Sequence, residues 1–244
     1  MKKIKLRYRF LSLVPSALKR YFDFVSFSIE RFVQSASEEI PPKAKVLDAG
    51  AGEGKFKKFF NKHRYISIDT TLGDREWDYS NLNIAGDLRV LPFASNSFDA
   101  VLCTQVLEHV KDPAGVLAEL FRVLKDGGCL YLSTPQGWGI HQAPHDYFRF
   151  TSFALEHLLK ERGFKIVYIN PGCGYFSYLA NRLTVFPKVL FWPIKNLLLR
   201  ILLFPFELIS YLLFVVILPF LLNLIDSLDR KRDYTLNYFV KAVK

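Results

Sequence analysis
The chain has 244 residues, with Lys+Arg 33 against Asp+Glu 23 for a net charge of +10, half of its residues hydrophobic, and 23 Phe against one Met. That composition excludes a disordered or collagen-like chain, and the length allows one domain of ordinary size plus an appendage. The charge alone would suit a nucleic acid or an anionic membrane surface.

The charge is unevenly spread. Residues 1–20 carry seven bases and no acid, residues 21–171 carry 17 bases and 19 acids, and residues 172–244 carry nine bases and four acids. The middle is mildly acidic, and both ends are basic and rich in apolar residues. Cys103, Cys129 and Cys173 make an odd number with no paired spacing, which predicts a reduced compartment and no zinc. The apolar stretch Phe10 to Leu18 is short, contains Pro15 and runs into Lys19-Arg20, so no cleavable signal peptide is expected.

In chain order, Tyr21 to Ile40 has helical apolar spacing and stops at Pro41-Pro42. Lys45 to Asp48 predicts a buried strand, Lys55 to His63 a helix and Tyr65 to Asp69 a second strand. Leu88 to Phe93 borders a turn. Ala100 to Thr104 reads as a strand, Pro113 to Leu124 as a helix, Cys129 to Ser133 as a strand, Ser152 to Arg162 as a helix and Phe164 to Asn170 as a strand. This alternation predicts an α/β fold with a parallel sheet wound on both faces. From Tyr175 to Asp226 the pattern changes: Leu208 to Ile225 is 18 residues without a charge, interrupted by Pro219, with Pro205 just before it. The chain then turns polar and ends its pattern in a strand, Thr235 to Val243.

Asp48-Ala49-Gly50-Ala51-Gly52-Glu53-Gly54 follows the first strand. Glycines there let the backbone approach a ligand, and N–H groups at a helix start can meet a carboxylate. A dinucleotide fingerprint needs its third glycine at position 55, which is Lys55, so NAD is disfavoured. Asp69 closes the second strand, where a carboxylate can accept both ribose hydroxyls. Asp87-Leu88, ahead of Leu91-Pro92-Phe93, is placed to meet a base edge.

These pieces, together with Ile68-Asp69, Gly86-Asp87, Ser97-Phe98-Asp99, Gln105-Val106-Leu107-Glu108-His109-Val110 and Arg122 to Gly128, lie in an order and spacing that covers residues 45–134. The sequence resembles the class I S-adenosylmethionine-dependent methyltransferases, of the branch typified by ubiquinone/menaquinone biosynthesis. The resemblance implies a Rossmann-like, mostly parallel, seven-stranded sheet, with S-adenosylmethionine as cofactor and S-adenosylhomocysteine as product. It implies that Asp48, Gly50, Ala51 and Gly52 line the methionine end and that Asp69 and Thr70 hold the ribose. Asp87 and Leu88 would meet the adenine, with Thr104 and Gln105 near the sulfonium. For Glu108-His109 a packing or loop-fixing role stands at least level with catalysis.

On the acceptor side, Pro135 to Thr151 follows a strand at the sheet edge where open α/β folds bind ligands. Methyl transfer depends on alignment, and a hydroxyl acceptor also needs a base. His145 is the first candidate and His141 the second. The run His145 to Thr151 resembles a motif of methyltransferases from glycan and envelope gene clusters; the rival reading is a loop pinned by an Asp146–Arg149 pair. No tight ligand spacing supports a metal.

If the strands on either side of the greasy region share one sheet, both ends of the insert lie on the same side of any membrane. A helical hairpin, a re-entrant pair broken near Pro193 or Pro205, and in-plane helices all satisfy this. Lys and Arg spaced along the first half beside Phe191 and Trp192 suit a shallow interfacial placement. A soluble lid or dimerisation pair is the rival. The expected divisions are a basic amphipathic segment at 1–40, a cofactor-binding core at 41–174, a hydrophobic helical insert at 175–230 and the last strand at 231–244.

The combined expectation is a membrane-associated methyltransferase at the cytoplasmic face of the cell membrane. Its partners would be an anionic lipid surface and a lipid-linked acceptor, such as a polyprenyl-linked glycan or envelope lipid. A quinone-ring or phospholipid-amine methyltransferase is the alternative, and an inactive cofactor-binding membrane scaffold comes third. Nucleic acid is disfavoured because the core is mildly acidic and the basic ends are interleaved with apolar runs.

Overall fold
The computed structural model describes residues 23–73 and 76–244. The basic segment expected at the N-terminus therefore lies outside the described residues as far as residue 22. The chain divides into two compact units, one made of Ile29–Gly172 with Leu236–Lys244, the other containing Cys173–Thr235.

The first unit holds a seven-stranded sheet. Its strands are β1 (Lys45–Ala49), β2 (Arg64–Asp69), β3 (Ile84–Ala85), β4 (Phe98–Thr104), β5 (Leu124–Pro135), β6 (Lys165–Pro171) and β7 (Asn237–Val243). The order is β3-β2-β1-β4-β5-β7-β6. All neighbours pair in parallel except β7, which runs antiparallel to both β5 and β6. Val46, Leu47, Asp48 and Ala49 of β1 are all buried, as a strand covered on both faces requires. The order reverses between β1 and β4, so a crevice opens beyond the carboxyl ends of these two strands.

Helix α1 (Phe24–Glu39) stops at Pro41, and from Ile29 onward it belongs to this unit. Phe32 stacks on Phe239 of β7 at 4.9 Å. Helix α2 (Pro113–Val123) starts with Pro113 in its first turn, and the Asp112 carboxylate accepts from the Gly115 N–H. Thr151 caps α3 (Ser152–Glu161) through the Ala154 N–H. Leu117, Leu120 and Val123 of α2 and Leu155 and Leu159 of α3 are buried with Leu130, Leu132 and Val240 of the sheet in one apolar core.

One expected element differs, and one strand was not expected. Lys55 to His63 is a run of turns with one 3-10 turn at Lys57–Phe59, not a helix, because only Phe56 and Phe60 turn inward and the intervening lysines stay in solvent. The two-residue β3 carries too few residues to leave a periodic signal.

The second unit contains α4 (Tyr175–Leu183), α5 (Phe186–Phe191), α6 (Leu197–Tyr211), a π-helical stretch (Leu212–Ile217) and α7 (Leu218–Leu224). Helices α4 and α7 pack together. Asp226 accepts from the Gly174 and Ser177 N–H groups at 2.9 and 2.7 Å, and Asp229 from the Tyr175 N–H at 2.7 Å. Two carboxylates from the end of the insert thus cap the helix at its beginning. The prolines do not break the long run. Pro205 lies inside α6, and the π-helical stretch sits just before Pro219, loosening the turn where the ring would otherwise meet the preceding carbonyls. Leu197–Leu224 forms 28 helical residues with mean hydropathy 2.5 in its most apolar window, none of that window buried.

Candidate active site
Five segments converge on the crevice between β1 and β4. Gly50 follows β1 at φ +84°, where an added Cβ would stand 2.3 Å from Val106 Cγ2. Only a residue without a side chain brings the backbone this close to Val106. Asp69, at the end of β2, is almost fully buried. Its carboxylate accepts from the Gly52 N–H at 2.9 Å and the Thr71 N–H at 2.8 Å, which ties the glycine loop to β2. Gln105 follows β4 in the left-handed region at φ +57°. It is held there by its N–H on the Ser133 carbonyl (2.8 Å) and its amide on Ser133 Oγ (3.1 Å).

These residues line a cavity of about 320 Å³, together with Thr70, Asp87, Leu88 and His145. Of the residues expected from sequence to contact cofactor or acceptor, Gly50, Asp69, Thr70, Asp87, Leu88, Gln105 and His145 thus share one wall-to-wall space. Asp48, Ala51, Gly52, Thr104 and His141 do not line it. The Asp48 carboxyl is buried beneath the loop and accepts the Tyr65 hydroxyl, with Oδ1 unpartnered. Burial pushes it up to about 7, with neighbouring Asp69 adding to the rise. Gly52 serves through its hydrogen bond to Asp69, and Thr104 is buried at the end of β4.

Asp87 has an occupant that the motif did not reveal. Arg89 clasps it through Nε and Nη2 (2.6 Å at the shorter contact), and the Arg89 N–H adds a third donor at 2.8 Å. These bonds hold the Asp87 carboxyl below its ordinary range. Arg89, Trp77, Lys111 and Gln142 also line the cavity. None belongs to the motif set, and each reaches the space by loop geometry; Trp77 does so by lying over Gly52 and Gly73.

The acceptor-side loop is built around Arg149. Its guanidinium bridges both Asp146 oxygens at 2.6 and 2.7 Å and donates to the carbonyls of Trp138 and Gly139. Asp146 Oδ2 also accepts the His141 N–H, and the salt bridge holds the Asp146 carboxyl well below the carboxylate range. The pinned-loop reading of this run therefore describes Asp146 and Arg149. His145 faces the cavity from the same loop, with Nδ1 3.2 Å from the Tyr147 hydroxyl. His141 lies outside the cavity, edge-on to His109 at 4.7 Å between ring centres. Glu108 fixes the loop through its carbonyl, which accepts the Tyr147 and Phe148 N–H groups. Its side chain is fully buried, and that burial pushes the carboxyl up to about 8.

A family model described as a methyltransferase domain matches residues 20–169. The chain belongs to the methyltransferase-domain family. Within it, the chain is of the class I kind, whose cofactor is S-adenosylmethionine.

Named relatives agree on the class. A demethylmenaquinone methyltransferase of Renibacterium salmoninarum is 38% identical over 100 residues, covering 38% of this chain and 41% of that protein. A ubiquinone/menaquinone biosynthesis C-methyltransferase of Desulfotalea psychrophila is 33% identical over 134 residues, covering 49% and 54%. The match thus spans about half or less of these curated relatives. Among solved structures, the [4+2]-cyclase SpnF superposes with a TM-score of 0.55 at 17% identity, covering 88% of this chain and 81% of that one. A Burkholderia thailandensis 1,6-didemethyltoxoflavin-N1-methyltransferase with bound S-adenosylhomocysteine gives 0.52 at 18%, covering 98% and 87%. Both likenesses concern the methyltransferase fold, and a cyclase on that fold shows that the fold does not fix the reaction.

The cavity's donor set suits the cofactor. Asp69 has two oxygens and about four acceptor positions, of which two are taken by N–H groups, leaving room for two ribose hydroxyls. At Gly50 the missing side chain lets the backbone pack directly on Val106, and both residues line this end of the cavity.

Proposed function
We propose that this chain transfers a methyl group from S-adenosylmethionine to an acceptor carried on a lipid, at the cytoplasmic face of the cell membrane. The observation that carries the reading is the single cavity that unites Gly50, Asp69, Asp87, Leu88 and Gln105 with His145. Gly50 would receive the methionine end, Asp69 with Thr70 the ribose, and Leu88 beside Asp87 the adenine. Bound there, the cofactor supplies a sulfonium-activated methyl group. The protein's part is to align the acceptor and take its proton. In the tautomer whose Nδ1–H donates to the Tyr147 hydroxyl, 3.2 Å away, His145 keeps a lone pair on Nε2 for that proton.

The membrane assignment rests on Leu197–Leu224. At 1.5 Å per residue, 28 helical residues extend about 42 Å, longer than the roughly 30 Å of bilayer hydrocarbon. Pro171 of β6 lies opposite Tyr238 of β7, so the insert leaves and re-enters one sheet edge. A lone crossing is incompatible with that pairing, and a hairpin with the preceding helices or an in-plane placement agrees with it. Exposed Trp192 and the bases Lys188, Lys195 and Arg200 suit the headgroup level.

The leading acceptor is a hydroxyl on a polyprenyl-linked glycan or envelope lipid, from the resemblance of the His145–Thr151 run. The second reading, a quinone ring, is favoured by the quinone-biosynthesis names of the relatives. Tritiated S-adenosylmethionine incubated with native membranes separates them. Label migrating with saccharide-bearing lipid supports the first, and label in quinone or phospholipid sinks it. Cofactor binding with no transfer to any membrane extract points to the scaffold.

A further inference from the structure
Beside the cavity lies a cluster that methyl transfer, as read above, does not use. Glu108 is fully buried, and neither carboxylate oxygen has a hydrogen-bond partner. His109 places Nδ1 on the His145 carbonyl, and its Nε2 is buried, without a hydrogen bond, 3.6 Å from Glu108 Oε1. His141 completes the group from a separate loop, and the potential ligand atoms of the three residues lie within 4.8 Å of one another.

Three orphaned buried atoms in one place leave a large desolvation cost unmet. A backbone carbonyl on Nδ1 selects the tautomer whose Nε2 lone pair is free, and that lone pair is on the Glu108 side. This is how protein surroundings orient a metal-ligating imidazole. The His141 loop is itself held, since Asp146 accepts the His141 N–H while Arg149 grips Asp146. Tetrahedral ligands about 2.1 Å from an ion stand roughly 3.4 Å apart. The Glu108–His109 pair already has that spacing, and His141, a quarter exposed, can close the remaining distance by turning its ring.

We propose that Glu108, His109 and His141 form a site for a divalent transition-metal ion of the zinc type, with an open coordination position toward the cavity that His109 lines. Two imidazoles and one carboxylate with a vacant position match the donor set that zinc takes when it also binds water or a substrate oxygen. The rival arrangement is a metal-free pair in which a protonated Glu108 donates to His109 Nε2.

The test is a zinc titration of the full-length detergent-solubilised protein after chelator treatment, with cobalt substitution as the spectroscopic readout. It needs neither methyl donor nor acceptor, so its outcome is independent of the proposed reaction. The expected result is about one saturable zinc per chain and cobalt ligand-field bands in the visible, both lost in E108Q and H141A. H157A alters a surface histidine beside Glu161 and should leave both unchanged. His141 is on a loop, so H141A keeps the test valid should E108Q fail to fold. No saturable binding, or binding that H141A retains at wild-type affinity, overturns the site in favour of the hydrogen-bonded pair.

Discussion
A methyl group at Gly50 would meet Val106 at 2.3 Å on a backbone already at φ +84°. We therefore expect Gly50→Ala to cost about 2 kcal/mol or more and to abolish cofactor binding, as read by thermal denaturation and isothermal titration. Adding Val106→Ala removes the clashing methyls but not the φ strain, so part of the stability should return. Asp48 gives a prediction of a different kind. Its carboxyl is raised from 3.8 to about 7 by burial, so the folded state holds a proton that the unfolded chain releases. This contribution is complete below pH 4 and declines as pH rises through about 7, a span of roughly 4 kcal/mol. Asp48→Asn keeps an acceptor for Tyr65 and cannot ionise. Denaturant midpoints should show the variant gaining on the wild type from pH 4 to 7, with the difference level above pH 8. A constant difference across that range would assign Asp48 an ordinary acidity. The sequence marked Gly50 and Asp69 because their roles are local to a strand end. Arg89 on Asp87 and Trp77 over Gly52 escaped, since neither contact leaves a spacing signature.

At the scale of elements, the loop from Trp138 to Phe150 is gathered by the Arg149 guanidinium, with the Glu108 carbonyl holding Tyr147 and Phe148 from the other side. Arg149→Ala should loosen the His145 wall, at about 2 kcal/mol for charged hydrogen bonds that are largely shielded from solvent. Cofactor affinity should change less than about threefold, because Gly50 and Asp69 are held by other contacts, while acceptor KM rises; equal losses in both would place Arg149 in the cofactor site. The apolar run Leu197–Leu224 makes a complementary prediction. Leu212 and Val216 are exposed, so Lys at both positions removes little packing. Each charge at bilayer depth costs about 3 kcal/mol, and recovery in carbonate-washed membranes should drop sharply. Unchanged recovery would detach this helix from the bilayer. Strands flanked by turns were legible here because their buried residues are contiguous. The continuity of α6 through Pro205 was not, because a proline reads as a stop unless the surrounding turns are known to absorb it.

For the molecule as a whole, the change in composition near residue 175 is a marker of the passage from sheet to apolar helices, and one compact unit of the structure contains Cys173–Thr235. The marker is strong because a sheet domain and an exposed apolar helix obey different burial rules. Since Pro171 stands opposite Tyr238, replacing residues 173–235 with a short Gly/Ser turn should join β6 to β7 without strain. The expected product is water-soluble, retains cofactor affinity and no longer sediments with membranes. Its failure to bind cofactor would mean that the insert supports the fold and not only its placement. The Glu108–His109–His141 grouping belongs to this scale as well, since it joins two segments that only the folded chain brings together.

The position of β7 between β5 and β6 has a consequence for how the protein is made. A ribosome completes β1 to β6 first, then the entire greasy segment, and only then supplies the strand that bridges β5 and β6. Until that moment β5 presents an unpaired edge, and β6 has no neighbour in the sheet. The apolar helices therefore emerge, and can be delivered to lipid, before the enzyme has a finished sheet. On the proposed membrane reading, engagement of lipid does not require the finished sheet, and a released chain truncated before residue 237 should sediment with membranes yet be unable to complete its catalytic fold.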